Sequence, residues 1–185
     1  MLTDRYDAAL LFASALHRNQ VRKGSSIPYF SHLLSVSALI LKNGGDEDQA
    51  IAGLLHDAVE DQGGVPTLDA IRVKFGDRVA GIVLDSTDSL TVPRPPWQER
   101  KEAYLANLPR KSADSWLVSL ADKTDNARAI MGDYRLRGDE VWERFAGGKN
   151  GTRWYYQSLS EFFSENYPGP LTTEFARTVA EFVAD

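Results

Sequence analysis

The sequence contains no cysteine. That excludes a disulfide framework and a thiolate metal site, so any transition metal must be held by the three histidines and the carboxylates. A chain without thiols suits a reducing cytoplasm, the expected location. Long hydrophobic runs are also missing: nowhere do about 18 apolar residues follow one another, so no membrane-spanning helix is expected. The N-terminus, Met1-Leu2-Thr3-Asp4-Arg5, reaches charge before any apolar stretch, so no signal peptide is expected either. Positive charge is in deficit. Lys plus Arg number 21 against 26 Asp plus Glu, a net charge of −5, and without a basic run for duplex phosphates nucleic acid is not an expected partner. Strand-like alternation is nearly absent, and there is no internal repeat or low-complexity tract. Asn150-Gly151-Thr152 reads as a turn, its match to a glycosylation sequon being incidental.

What remains is an ordinary soluble composition of 185 residues, 43% hydrophobic and 25% charged, enough for one well-cored domain over 1–185. The dominant period is helical. Tyr6, Ala9, Leu10, Ala13 and Leu16 share one face, a second helix runs from Tyr29 to Asn43, and a third from Asp46 to Asp61. Further helices are expected from Pro66 to Phe75, Asp77 to Asp85, Trp97 to Leu108, Ser115 to about Met131, Thr152 to Glu165 and Leu171 to Val183. Thr87 to Trp97, with three prolines, reads as a loop and a candidate lid; Gly147 to Gly151 reads as a second loop.

The third helix carries the chemistry. At about 100° per residue, Ile51, Leu54, Leu55, Ala58 and Val59 fall on one arc and His56, Asp57, Glu60 and Asp61 on the opposite one. No Lys or Arg lies between Asp46 and Asp61, so something cationic should sit against these acids. A solvent-exposed acidic face is the plain alternative, but His beside Asp in an apolar helix is a good ligand pair for Mn²⁺, Fe²⁺ or Zn²⁺. Two distant residues stand out as further ligands. His32 sits among Leu33, Leu34 and Val36, where a histidine is also at home as a core residue. Asp122 follows Trp116-Leu117-Val118-Ser119-Leu120-Ala121, where a buried acid needs a cation. Lys123, its neighbour in sequence, is expected to point elsewhere, whereas Asn126 shares the Asp122 face.

His32, then His56-Asp57, then Asp122 resembles the H…HD…D signature of the HD-domain metal-dependent phosphohydrolases. Within that superfamily, Gln20-Val21-Arg22-Lys23-Gly24 with Pro28-Tyr29-Phe30-Ser31-His32 is similar to the first motif of RelA/SpoT-type alarmone hydrolases. Leu54 to Asp61 is similar to their second motif and Ser119 to Asn126 to their fourth. Two positions depart from the pattern: Asp125 stands where His is usual, and Leu33 where Pro is usual. Arg144 to Tyr156 does not follow the small hydrolases.

The resemblance implies an all-α HD-domain bundle of roughly eight to ten helices around one metal site. It implies hydrolysis of the 3′-pyrophosphate of (p)ppGpp to GDP or GTP plus pyrophosphate, usually with Mn²⁺, and the length resembles that of the hydrolase-only members, with no synthetase region expected. On this reading His32, His56, Asp57 and Asp122 hold one divalent ion. Glu60, first choice, and Asp61 orient water and move protons. Arg22 and Lys23 bind phosphates, with Arg100 and Lys101 as lid-side candidates, and Asn126 donates to ribose or phosphate. Tyr155 or Tyr156 stacks on the base, and His17 orders the first loop rather than binding metal. The expected partner is a nucleotide, with neither nucleic acid nor membrane, and a homo-oligomer is left open. The alternatives are an HD phosphohydrolase acting on ppApp, the NADPH 2′-phosphate, a nucleoside monophosphate or a dNTP, or an antitoxin module opposing a synthetase.

Overall fold

The computed structural model describes residues 1–91 and 93–183; Val92, inside the expected 87–97 loop, lies outside the described residues. Among the described residues there are ten α-helices and no strand. They are α1 (Asp4–Leu16), α2 (Phe30–Lys42), α3 (Glu47–Leu55), α4 (Ala58–Asp61), α5 (Val65–Phe75), α6 (Asp77–Ser86), α7 (Trp97–Asn107), α8 (Ala113–Arg137), α9 (Gly148–Asn166) and α10 (Pro170–Val183). Short 3₁₀ turns follow α7 and α8. None of the helices is long and apolar enough to cross a membrane.

The long helix α8 is the spine, packed against α2, α3, α6 and α10. It starts where the Ser112 hydroxyl accepts from the Ser115 amide and ends at Gly138, beyond the Met131 boundary expected from sequence. Leu33, Val36 and Ile40 of α2, Ile51, Leu54 and Leu55 of α3, and Val118, Leu120 and Ala121 of α8 are fully buried together. Phe163, Phe175 and Phe182 close the other end, each contributing about 1.5–3 kcal/mol by leaving water. Asp46 begins α3 with a capping box, its carboxylate accepting from the Gln49 amide at 3.0 Å. Gly53 lets α3 lie against α2, because a Cβ there would stand 2.4 Å from Ile40 Cδ1 and 3.4 Å from the Ser37 backbone.

Two expectations fail here. The helix expected from Asp46 to Asp61 is broken at His56-Asp57, where α3 stops and α4 begins. His56 Nδ1 donates to the Gly53 carbonyl at 2.9 Å, the acceptor that an unbroken helix would offer to the Asp57 amide, and Asp57 relaxes to φ −98° and ψ −2°. His56 is buried at this break, Asp57 and Glu60 are half-buried and Asp61 is exposed, so a wholly solvent-exposed acidic face is not what forms. The second failure is the loop at Gly147 to Gly151, together with the turn at Asn150-Gly151-Thr152: from Gly148 onward these residues are the first turns of α9. Packing overrides their local preference. The six-membered ring of Trp97 sits close against Gly147 and Gly151, and a Cβ on Gly147 would stand 2.6 Å from it.

Candidate active site

The first loop, the α3–α4 break and the middle of α8 meet at one point. His32 enters from the first turn of α2, His56 and Asp57 from the break, and Asp122 from α8. His32 Nε2 lies 3.3 Å from Asp122 Oδ1 and 3.8 Å from Asp57 Oδ2; His56 Nε2 lies 2.9 Å from Asp57 Oδ2 and 3.5 Å from Asp122 Oδ1. Ligand atoms of His32, His56 and Asp57 fall within 4.8 Å of one another. Both Nε2 atoms are buried without a hydrogen-bond partner, which is costly unless a cation takes their lone pairs. Both Nδ1 atoms, by contrast, are engaged from behind, His56 by Gly53 O at 2.9 Å and His32 by Asp125 Oδ2 at 2.6 Å. Two outward-engaged imidazoles and two carboxylates form a donor set suited to a divalent transition metal, so the residues fit such an ion.

The electrostatics agree. Burial alone would raise the Asp122 carboxyl, yet Lys123, His56 and His32 hold it well below the usual carboxylate range. Burial likewise opposes a charged His56, but Asp57 and Asp122 draw it well above the ordinary imidazole value. Carboxylates held ionised beside a histidine that favours its charged form make a pocket that attracts cations. Tyr29 donates its hydroxyl to Asp57 Oδ2, and Asn126 donates to Asp122 Oδ1 at 2.5 Å.

Lys123 corrects an expectation. Its long stem folds back so that Nζ lies 2.7 Å from Asp122 Oδ2 and 5.3 Å from the centre of the Tyr104 ring. The cation expected against the acids of the third helix is Arg94 of the proline-rich loop, 3.0 Å from Glu60 Oε1 and 3.7 Å from Asp61 Oδ1. Glu60 also accepts from the Asp88 amide at 3.1 Å, and Asp61 accepts from Gln20 at 2.8 Å. Gln20 in turn contacts His17 Nδ1 at 2.7 Å, and the His17 ring stacks on Tyr29. Burial, then Asp88 and Asp57, raises the Glu60 carboxyl above its ordinary value; burial and then Asp57 does the same for Asp61.

Beside this cluster opens a cleft of about 610 Å³, lined by Arg22, Lys23, Lys101, Lys123, Arg137 and Arg144 with Asp133 as its single acid among the lining residues. Asn126, Tyr29, Thr152, Tyr155 and Tyr156 also line it. Arg22 is already committed, to Asp125 Oδ2 at 3.1 Å and Asn126 Oδ1 at 2.9 Å. Tyr155 is a wall residue, enclosed edge-on by Trp97, Tyr104 and Tyr156. Arg100 is drawn away to the buried Asp88 at 3.0 Å and is not among the lining residues, whereas Lys101 contacts Asp88 at 2.5 Å and still reaches the cleft. Gln20, Tyr29 and Arg94 had no role from sequence, although Gln20 and Tyr29 stand inside the first motif.

A helical bundle that joins His32, His56-Asp57 and Asp122 at a buried cation-seeking point defines the HD class of metal-dependent proteins. The HD domain model matches residues 9–152, and the chain belongs to that family. The guanosine-3′,5′-bis(diphosphate) 3′-pyrophosphohydrolase MESH1 of Xenopus tropicalis is 39% identical over 132 residues, covering 67% of this chain and 71% of that protein. MESH1 of Homo sapiens is 38% identical over 122 residues, covering 64% and 65%. Among solved structures, one from Listeria monocytogenes EGD-e has 31% identity and a TM-score of 0.72, over 83% of this chain and 99% of that one. A metazoan ortholog of SpoT, described as hydrolysing ppGpp, shares the fold with a TM-score of 0.74 at 24% identity, over 100% and 96%.

Proposed function

We propose that the chain, as a single domain, hydrolyses the 3′-pyrophosphate of (p)ppGpp, releasing pyrophosphate and leaving GDP or GTP. The observation that carries this reading is the pair of buried, hydrogen-bond-free Nε2 atoms of His32 and His56, converging with Asp57 and Asp122 beside a cation-lined cleft. Relatives at 38–39% identity named as pyrophosphohydrolases of this nucleotide support it.

His32, His56, Asp57 and Asp122 would hold the divalent ion, with Mn²⁺ the preferred occupant. When bound, that ion supplies Lewis-acid chemistry, making water more nucleophilic and drawing charge from phosphoryl oxygens. The protein does the rest. Tyr29 and Asn126 hold the two carboxylates in orientation. Glu60, raised by burial and steadied by Arg94 and the Asp88 amide, is the base that takes a proton from water, with Asp61 at its side. The water oxygen bonds to phosphorus, the bond from phosphorus to the 3′-oxygen breaks, and that oxygen takes up a proton. Lys23, Lys101, Lys123 and Arg144 meet phosphate charge in the cleft, Arg22 presents its remaining donor edge, and Tyr155 with Asn126 lines the nucleoside side.

Glu60→Ala tests hydrolase against binder. A hydrolase loses pyrophosphate release by about 10²–10⁴-fold while keeping its fold and metal binding. A module that neutralises a synthetase by contact would keep its biological effect, and that result would overturn the proposal.

A further inference from the structure

His32 and His56 face the same point but are backed by different partners. Behind His56 is a neutral carbonyl, Gly53 O at 2.9 Å; behind His32 is a carboxylate, Asp125 Oδ2 at 2.6 Å. An ionised carboxylate has no proton to give, so Nδ1 of His32 carries the N–H, which leaves Nε2, on the side of Asp57 and Asp122, as the nitrogen that would offer its lone pair to an ion held there. Asp125 is itself fixed on both oxygens: the Ser35 hydroxyl donates to Oδ1, and Arg22 Nη1 reaches Oδ2 at 3.1 Å. The other Arg22 nitrogen donates to Asn126 Oδ1 at 2.9 Å, and Asn126 donates to Asp122 Oδ1 at 2.5 Å. The connection therefore runs from His32 through Asp125, Arg22 and Asn126 back to Asp122.

Helical spacing builds it. His32 and Ser35 are one turn apart on α2, and Asp122, Asp125 and Asn126 fall at i, i+3 and i+4 on α8. It is no solvated surface pairing, since the side chains of His32, Asp125 and Arg22 are 1%, 16% and 17% exposed. We propose that Asp125 is the positioning residue of His32 as a metal ligand, setting its tautomer and ring angle and strengthening Nε2 as a donor, with Ser35 and Arg22 holding the carboxylate in place. The inference rests on the reading of His32, His56, Asp57 and Asp122 as a divalent-cation site, and is independent of which nucleotide is hydrolysed.

The test uses the whole 185-residue chain without nucleotide. Removing such an outer partner typically weakens metal binding about 10–100-fold, and Asp125→Asn should lower Mn²⁺ affinity by that factor in competition with a chelator. The absorption bands of the Co²⁺-loaded protein should change with it, which a loss of general stability would not cause, and Asp125→Glu should recover part of the affinity. Wild-type protein supplies a measurement free of any folding defect. With ¹⁵N-labelled histidine and Zn²⁺ bound, long-range proton–nitrogen correlations should show His32 protonated at Nδ1 and metallated at Nε2. Wild-type Mn²⁺ affinity and an unchanged cobalt spectrum in Asp125→Asn would overturn the proposal, as would zinc on His32 Nδ1. A wild-type protein that binds none of the three ions overturns it together with the metal-site reading, whereas metal binding without hydrolysis of (p)ppGpp sinks only the substrate assignment.

Discussion

Replacing Lys123 by Met removes a charge from a poorly solvated ion pair of the site and leaves the volume nearly unchanged. Lys123 Nζ lies 2.7 Å from Asp122 Oδ2, and the two side chains are 12% and 10% exposed. Breaking a buried pair by deleting one partner costs about 3–5 kcal/mol, because the survivor stays buried and uncompensated. Asp122 keeps the Asn126 amide at 2.5 Å and the two imidazoles at 3.3 and 3.5 Å, so the lower end, about 3 kcal/mol, applies. For a chain of this length each kcal/mol moves Tm by about 2–4 °C, so thermal melts in chelator should fall by about 6–12 °C. Divalent ion should then recover more in the variant than it adds to wild type. A ligand at 100 times its Kd contributes about 2.7 kcal/mol, comparable with the loss, and Asp122 freed of Lys123 is the better donor. A drop below about 2 °C, or a smaller Mn²⁺-induced rise in the variant than in wild type, would refute the claim that Asp122 is held ionised by Lys123.

Gly147→Ala should push the Trp97 ring out of the cleft wall, since the new Cβ would stand 2.6 Å from it; overpacking of about 1–3 kcal/mol and a raised KM at little-changed kcat are expected in melts and steady-state kinetics. Arg94→Gln should move the acid limb of the pH–rate profile to higher pH. The Glu60 carboxyl is raised by burial, then by Asp88 and Asp57, and lowered by Arg94; without Arg94 it rises further, so more base is needed to ionise it and activity falls first at low pH. An unmoved acid limb would remove Glu60 from the role of base. Phe163→Ala, at a fully buried end of the core, should cost about 3–5 kcal/mol in denaturant unfolding without touching metal affinity.

The ligand candidates were legible because chemistry restricts them: a buried acid at Asp122 and a His-Asp pair in an apolar helix both call for a cation, and the structure brings them together with His32. The helix break was not legible, because Leu54 to Asp61 keeps a helical period in its side chains and only the His56 to Gly53 bond interrupts the backbone ladder. Gly147 to Gly151 misled for the opposite reason. Their glycines read as loop punctuation, whereas they make room for Trp97, fifty residues away in sequence. Helical angle alone points Lys123 away from Asp122, and a four-carbon stem can fold back across that angle. Asp125 stood out only as a departure from pattern; its partner His32, on another helix, could not be read from one strand of text.

The most direct test incubates the full chain with Mn²⁺ and, in parallel, ppGpp, pppGpp, ppApp and NADPH, separating products by ion exchange beside a His56→Ala control. Pyrophosphate released from the guanine alarmones and lost in the control is the predicted result. Orthophosphate from another nucleotide, with ppGpp and pppGpp untouched, would contradict the account.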